Sequence, residues 1–151
     1  MKIIVDSNIV FSSLLKTQTT FGQIIFNSDK IFDFYSARFL HVEIKKHWSK
    51  LKKLSKLSDN QLEEAYHALL QKITFVNEEI IPQRVWQEAE TLAAGIDLDD
   101  ISFIALSKFL RGRLWTGDKV LRDGLKQNGF RSVMNTPEIL KLWTQKKNRQ
   151  T

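Results

Sequence analysis

At 151 residues the chain has the size of a single domain that can bury a core without staples. It contains no Cys, which excludes a disulfide framework, a thiolate-bound zinc or iron–sulfur centre and a Cys nucleophile, and fits a cytoplasmic location. The net charge of +6 suits a polyanionic partner, and no run reaches the roughly 18–20 apolar residues needed to cross a membrane.

Ile3, Ile4 and Val5 form a β-branched run ending on Asp6, the pattern of a buried parallel strand. The acid stands where a signal peptide would continue its apolar stretch. Ser12, Ser13, Lys16 and Gln18 also follow too early for one, so the segment reads as the first strand of the mature fold. Val10, Phe11, Leu14 and Leu15 repeat at helical spacing, as do Phe21, Ile24 and Ile25. Ile31 to Tyr35 reads as a second strand, and Ser36 as the N-cap of a helix carrying Phe39, Val42 and Ile44. Ser58 opens a further helix with Leu62, Ala65, Leu69 and Leu70 on one face.

Ile73 to Val76 reads as a short strand, and Pro82 begins a helix closed by Gly95. Asp97 or Asp99 starts the next helix, apolar almost all round from Ile101 to Leu110 and therefore expected deep in the core. Arg113 to Trp115 is a strand, 118–127 a helix, Phe130 to Met134 a strand, and 136–144 a last helix. Alternating strands and helices predict a three-layer α/β/α sandwich around a parallel sheet. Residues 1–144 make the domain, and 145–151 read as a basic tail.

The charge gathers in Lys45, Lys46, Lys50, Lys52 and Lys53. A solvated helix face accounts for such a run as readily as a groove for a nucleic-acid backbone does. The leucines among them, Leu51, Leu54 and Leu57, suit core, a dimer face or a partner groove.

Ligands of an open parallel sheet bind beyond the carboxyl ends of its strands. Asp6 closes the first strand, Asp118 follows a later one, and Asp97, Asp99 and Asp100 gather at the start of the buried helix. Singly, each suits a helix cap or dipole partner, and Asp97 with Asp100 has capping-box spacing. Together at one edge they repel unless a cation neutralises them, and hard cations such as Mg²⁺ and Mn²⁺ take oxygen ligands of this kind.

Four segments resemble the PIN domain family. Ile-Ile-Val-Asp6-Ser7-Asn8 is similar to its opening motif, and Phe39-Leu-His-Val-Glu43-Ile to the helix bearing its acid after the second strand. Asp100-Ile-Ser-Phe-Ile-Ala-Leu-Ser107 is similar to the central motif, and Leu114-Trp-Thr-Gly-Asp118-Lys-Val-Leu to the third. The resemblance spans roughly residues 1–140 and implies a PIN-like fold with about five parallel strands. It implies a VapC-like toxin: a Mg²⁺- or Mn²⁺-dependent endoribonuclease held in check by a cognate antitoxin, with RNA as substrate and a homodimer as assembly. Asp6, Glu43, Asp100 and Asp118 would be its acidic set, with Asn8 and Thr116 orienting them by hydrogen bonds. The Asp97-Leu-Asp99-Asp100 cluster leaves the third ligand open. Asp100 is chosen because its distance to Ala105 fits the motif, with Asp99 and Asp97 as alternatives. Ser107 stands where the family usually has Ala.

Other readings fit less well. A receiver-like signalling domain would need paired acids after the first strand, where Ser7 and Asn8 stand. A haloacid-dehalogenase-type phosphatase would need Asp in place of Asn8. A PIN-like module that binds RNA or protein without cutting would retain the fold and lose the chemistry.

Overall fold

The computed structural model describes residues 1–15 and 20–149. Lys16 and Gln18, and the last two residues of the expected basic tail, lie outside the described residues. Five strands, β1 (Lys2–Val5), β2 (Asp33–Ala37), β3 (Thr74–Val76), β4 (Arg113–Trp115) and β5 (Val133–Met134), form one parallel sheet in the order β3-β2-β1-β4-β5. Between them run α1 (Ser7–Leu15), α2 (Thr20–Asn27), α3 (Phe39–Lys46), α4 (Trp48–Ser55) and α5 (Asp59–Leu70). The later helices are α6 (Gln83–Leu92), α7 (Ile101–Leu110), α8 (Lys119–Gln127) and α9 (Thr136–Arg149).

Successive residues of a strand point to opposite faces. Ile3, Ile4 and Val5 are nevertheless all fully buried, so β1 is covered on both sides and the architecture has three layers. The expected α/β sandwich is therefore the observed one. α7 crosses β1, β2 and β4, and α6 packs against its outer side. Its residues Phe103, Ile104, Ala105, Leu106 and Ser107 are buried, as its all-round apolar sequence predicts. Each large side chain among them contributes about 1.5–3 kcal/mol by leaving water.

Ser107 uses its hydroxyl, donating to the carbonyl of Gly112 at 2.7 Å and fastening the end of α7 to the start of β4. Gly112 is required there. A Cβ at this position would come within 2.3 Å of Ile4 Cδ1 and 3.0 Å of the Lys2 carbonyl, so glycine lets β4 lie close to β1.

Three expectations change. Ser36 is not a helix cap: it closes β2, is buried, and donates to the Val5 carbonyl at 2.7 Å. The cap of α3 comes instead from Glu78, whose carboxylate accepts from the backbone N–H of Arg38 (2.8 Å) and Phe39 (3.1 Å). The last strand shrinks to Val133–Met134. The last helix runs past 144 to Arg149, its closing turn carrying Lys146, Lys147 and Arg149 against the negative helix end. Ser58 caps α5 as expected, in a reciprocal box with Gln61.

No helix among the described residues is long and apolar enough to cross a membrane.

Candidate functional site

The chain runs outward from β1 to β2 and β3, then crosses back to β4 on the other side of β1. That reversal opens a crevice beyond the carboxyl ends of β1 and β4, the place where open parallel sheets bind ligands. Asp6 stands at the first of these ends and Thr116 at the second, tied by the Asp6 N–H donating to the Trp115 carbonyl at 3.1 Å.

Asp6 is 2% exposed, and its carboxylate is held from three sides. Thr116 donates to Oδ2 at 2.7 Å, Asn8 Nδ2 donates to the same oxygen at 3.1 Å, and Ser7 reaches Oδ1 at 3.3 Å. Asn8 also donates to Thr116 Oγ1 at 3.0 Å and accepts from the Gly117 N–H at 3.0 Å, so its amide is fully engaged. Thr116 Oγ1 takes a further bond from the Asp118 N–H at 3.2 Å. Asn8 and Thr116 thus form one network around Asp6. Burial pushes the Asp6 carboxyl up, the Thr116 and Ser7 hydrogen bonds pull it back in part, and the Asp118 charge pushes it further up.

Asp118 caps α8, accepting from the Leu121 N–H through Oδ1 at 3.1 Å. The two carboxylates at the start of α7 divide differently. Asp97 accepts from the Asp99 N–H at 3.0 Å and caps the short 3₁₀ turn Leu98–Asp100. Asp100 makes no cap hydrogen bond, so the capping-box reading of this pair does not hold. Burial pushes the Asp100 carboxyl up to about 8, helped by the charges of Asp6, Asp118, Asp97 and Glu43. Asp97 and Asp99 are exposed at the rim.

Glu43 comes from α3 and is half-buried. Burial raises its carboxyl, and the charges of Asp6, Asp99 and Asp97 raise it further against a hydrogen bond from Ser7. Its Oε1 is buried with no hydrogen-bond partner, the one such side-chain atom among the described residues. The fold therefore brings Asp6, Glu43, Asp100 and Asp118 within electrostatic reach of one another. Even so, no three acidic or His side chains among the described residues stand close enough to chelate a cation as they are.

Lys45, Lys46, Lys50, Lys52 and Lys53 are all exposed. Lys52 is engaged with Asp59 at 2.8 Å, whereas Lys50 lines a cleft beside Glu43. Trp48 meets the Tyr66 ring at a tilt of 59° and packs against the core. Ser7 and Arg122 are additions that sequence reasoning did not single out as site residues. Arg122 donates to the Thr116 carbonyl at 2.9 Å and steadies the turn carrying Gly117 and Asp118. Ser7 had a signal in its place between Asp6 and Asn8. Arg122 had none, because the partner is a backbone atom brought to it by the fold.

Residues 4–148 match the family model of the PIN domain. A chain in the crystal structure of VapBC2 from Rickettsia felis bound to a DNA fragment from their promoter has the same fold, with a TM-score of 0.69 at 14% sequence identity. The alignment covers 89% of the present chain and 98% of that chain. No curated protein is significantly similar to it.

Proposed function

This chain belongs to the PIN domain family, and on that premise we propose that it is a Mg²⁺- or Mn²⁺-dependent endoribonuclease, the toxin of a toxin–antitoxin pair. Members of the family are generally nucleases that use divalent metal ions. The observation that carries the reading is Glu43 Oε1, a carboxylate oxygen buried without a donor among three other acids. An unpaired buried acceptor is expensive, and a cation is the partner that also offsets the burial, and the lesser mutual repulsion, that raise Asp6, Glu43 and Asp100.

The donors fit a hard divalent ion because all are oxygens and Asp6 is held rigidly by Thr116 and Asn8. Asp6, Asp100, Asp118 and Glu43 would hold it, the last three by rotating side chains that are only partly buried or exposed. When bound, the ion supplies a lowered pKa for the attacking water and offsets charge building on the phosphate. Asp6 provides a fixed carboxylate, and Asp100 a carboxyl uncommitted to capping. Glu43, its affinity for a proton raised by burial, is suited to receiving one from the attacking water at Oε2, leaving Oε1 to the cation. Hydrolysis by water leaves a 5′-phosphate and a 3′-hydroxyl. Lys45, Lys46, Lys50, Lys52 and Lys53 are proposed to meet the RNA backbone. A cognate antitoxin, a homodimer and a cytoplasmic site of action belong to the same reading, and the resemblance to VapC-like toxins supports them.

The test is cleavage of single-stranded RNA by the purified chain with Mg²⁺, with Mn²⁺ and with EDTA, beside Asp6→Asn. Cleavage with either metal, 5′-phosphate ends, and no product with EDTA or the variant are expected. Undiminished cleavage in EDTA, or by the variant, overturns the reading.

A further inference from the structure

A cleft of about 240 Å³ opens between α1 and the junction of α3 with α4. Its floor is Ile44, and its inner end is Asn8 with Glu43, residues of the acidic site. Phe11 from α1 and His47 from the α3–α4 junction meet edge to face at 6.2 Å and 88°, forming one continuous aromatic wall. Lys50 closes the outer end, with Nζ 5.9 Å from the Phe11 ring centroid. Glu43 comes from α3, His47 from the junction and Lys50 from α4, so one short stretch of chain supplies the acid, a wall and the cation.

Resting on the nuclease reading, we infer that this cleft is a subsite for one unstacked nucleobase of single-stranded RNA, with Lys50 meeting the adjoining phosphate. The volume lies below the roughly 300–1,000 Å³ of pockets for drug-sized ligands, which suits one planar ring system. The walls are aromatic and the floor is aliphatic, so the occupant has a face to stack. The cation at the mouth suits a group bearing a phosphate, and the inner end opens on the carboxylates. A single-stranded nucleic acid joins these properties in one molecule, because splayed bases alternate with phosphates along it.

The lining also sets what the subsite reads. Asn8 has both amide hydrogens on Asp6 and Thr116, leaving it no donor for a base edge, and one lone pair of its oxygen is taken by the Gly117 N–H. Stacking on the aromatic wall accepts every base, favours the larger purines and rejects a position that lacks a base, while Ser7, Glu43 and His47 are the polar groups of the lining that face its edge.

The experiment measures binding of a short labelled single-stranded RNA by fluorescence anisotropy in EDTA, with the RNA checked intact by gel. The same RNA carrying one abasic nucleotide at successive positions is the comparison. For the wild-type chain, one position should weaken binding about tenfold when abasic. Phe11→Leu should abolish that positional loss. Lys50→Gln should weaken all the RNAs alike and reduce the salt dependence. His47 is exposed, so His47→Gln, expected to shrink the positional loss, keeps the test sharp if Phe11→Leu does not fold. Equal tolerance of abasic nucleotides at every position, an unaltered positional loss in Phe11→Leu and His47→Gln, or no RNA binding by the wild type overturns the subsite. Cleavage with Mg²⁺ or Mn²⁺ beside uniform tolerance sinks the subsite and spares the nuclease. Positional loss without cleavage does the reverse.

Discussion

Thr116 donates to Asp6 Oδ2 at 2.7 Å although 110 residues separate them, so the end of one strand orients the carboxylate at the end of its neighbour. The same oxygen of Thr116 accepts from Asn8 and from the Asp118 N–H. Thr116→Val keeps the shape and removes the whole junction. It is expected to lower RNA cleavage by about 10–100-fold and stability by about 1–3 kcal/mol. Thr116→Ser should retain most of both. Steady-state cleavage and thermal melts of the two variants decide the matter, and a Val variant with wild-type kinetics contradicts it.

The acids also set a pH dependence. The Asp100 carboxyl sits at about 8 in the fold against an ordinary 3.8. A carboxyl raised by folding holds its proton more tightly in the native state. Its contribution to stability is therefore complete below the ordinary value and is lost as pH rises through the folded one. Asp6 and Glu43 are raised in the same sense. In EDTA the Tm should fall between about pH 4 and about pH 8, and Asp100→Asn should flatten that slope by a few degrees. Added Mg²⁺ should raise the Tm of the wild type more at the alkaline end, since a ligand stabilises the state it binds. A variant whose melts parallel the wild type across the range rules this out.

Glu78 is remote from the acids in function yet tied to one of them through α3. Its carboxylate covers the first two amides of the helix that carries Glu43. Glu78→Ala should destabilise the fold by about 1–2 kcal/mol and speed hydrogen exchange at Arg38 and Phe39. Exchange at wild-type rates would show that the cap is dispensable.

Gly112→Ala is expected to lower stability by about 1–3 kcal/mol through overpacking. The clash is with Ile4 and the β1 backbone, and β1 cannot retreat without disturbing the sheet. Gly112 is not at positive φ, whereas Gly95 and Gly129 are, with open space around them. A melt of Gly112→Ala within one degree of wild type would show that the strands can separate at little expense.

Much of this architecture is legible in the residues themselves. The β-branched run before Asp6 and the apolar surface of 101–110 each admit one reading, and both are core elements. What escapes is whatever depends on a distant partner. Ser36 resembles a cap because its real acceptor, the Val5 carbonyl, belongs to another strand. Glu78 caps α3 from about forty residues away, beyond any local motif. Asp97 and Asp100 both precede the buried helix as candidate caps, and only the fold shows that the first is bonded to the Asp99 amide while the second makes no cap bond. The cleft beside Glu43 is assembled from α1 and α4, and Phe11 in isolation is simply another apolar residue of an amphipathic helix.

The position of β4 beside β1 has a consequence in time. A chain leaving the ribosome presents Asp6 and Glu43 first, while the strand that supplies Thr116 and the turn that supplies Asp118 follow late in synthesis. Until β4 docks, Asp6 lacks its orienting hydroxyl and Asn8 lacks both of its partners on that strand's turn. Contacts so distant in sequence form slowly. The nascent polypeptide is thus expected to hold an incomplete acidic site next to the ribosome's own RNA, and to complete it only once β4 and the turn to Asp118 are made.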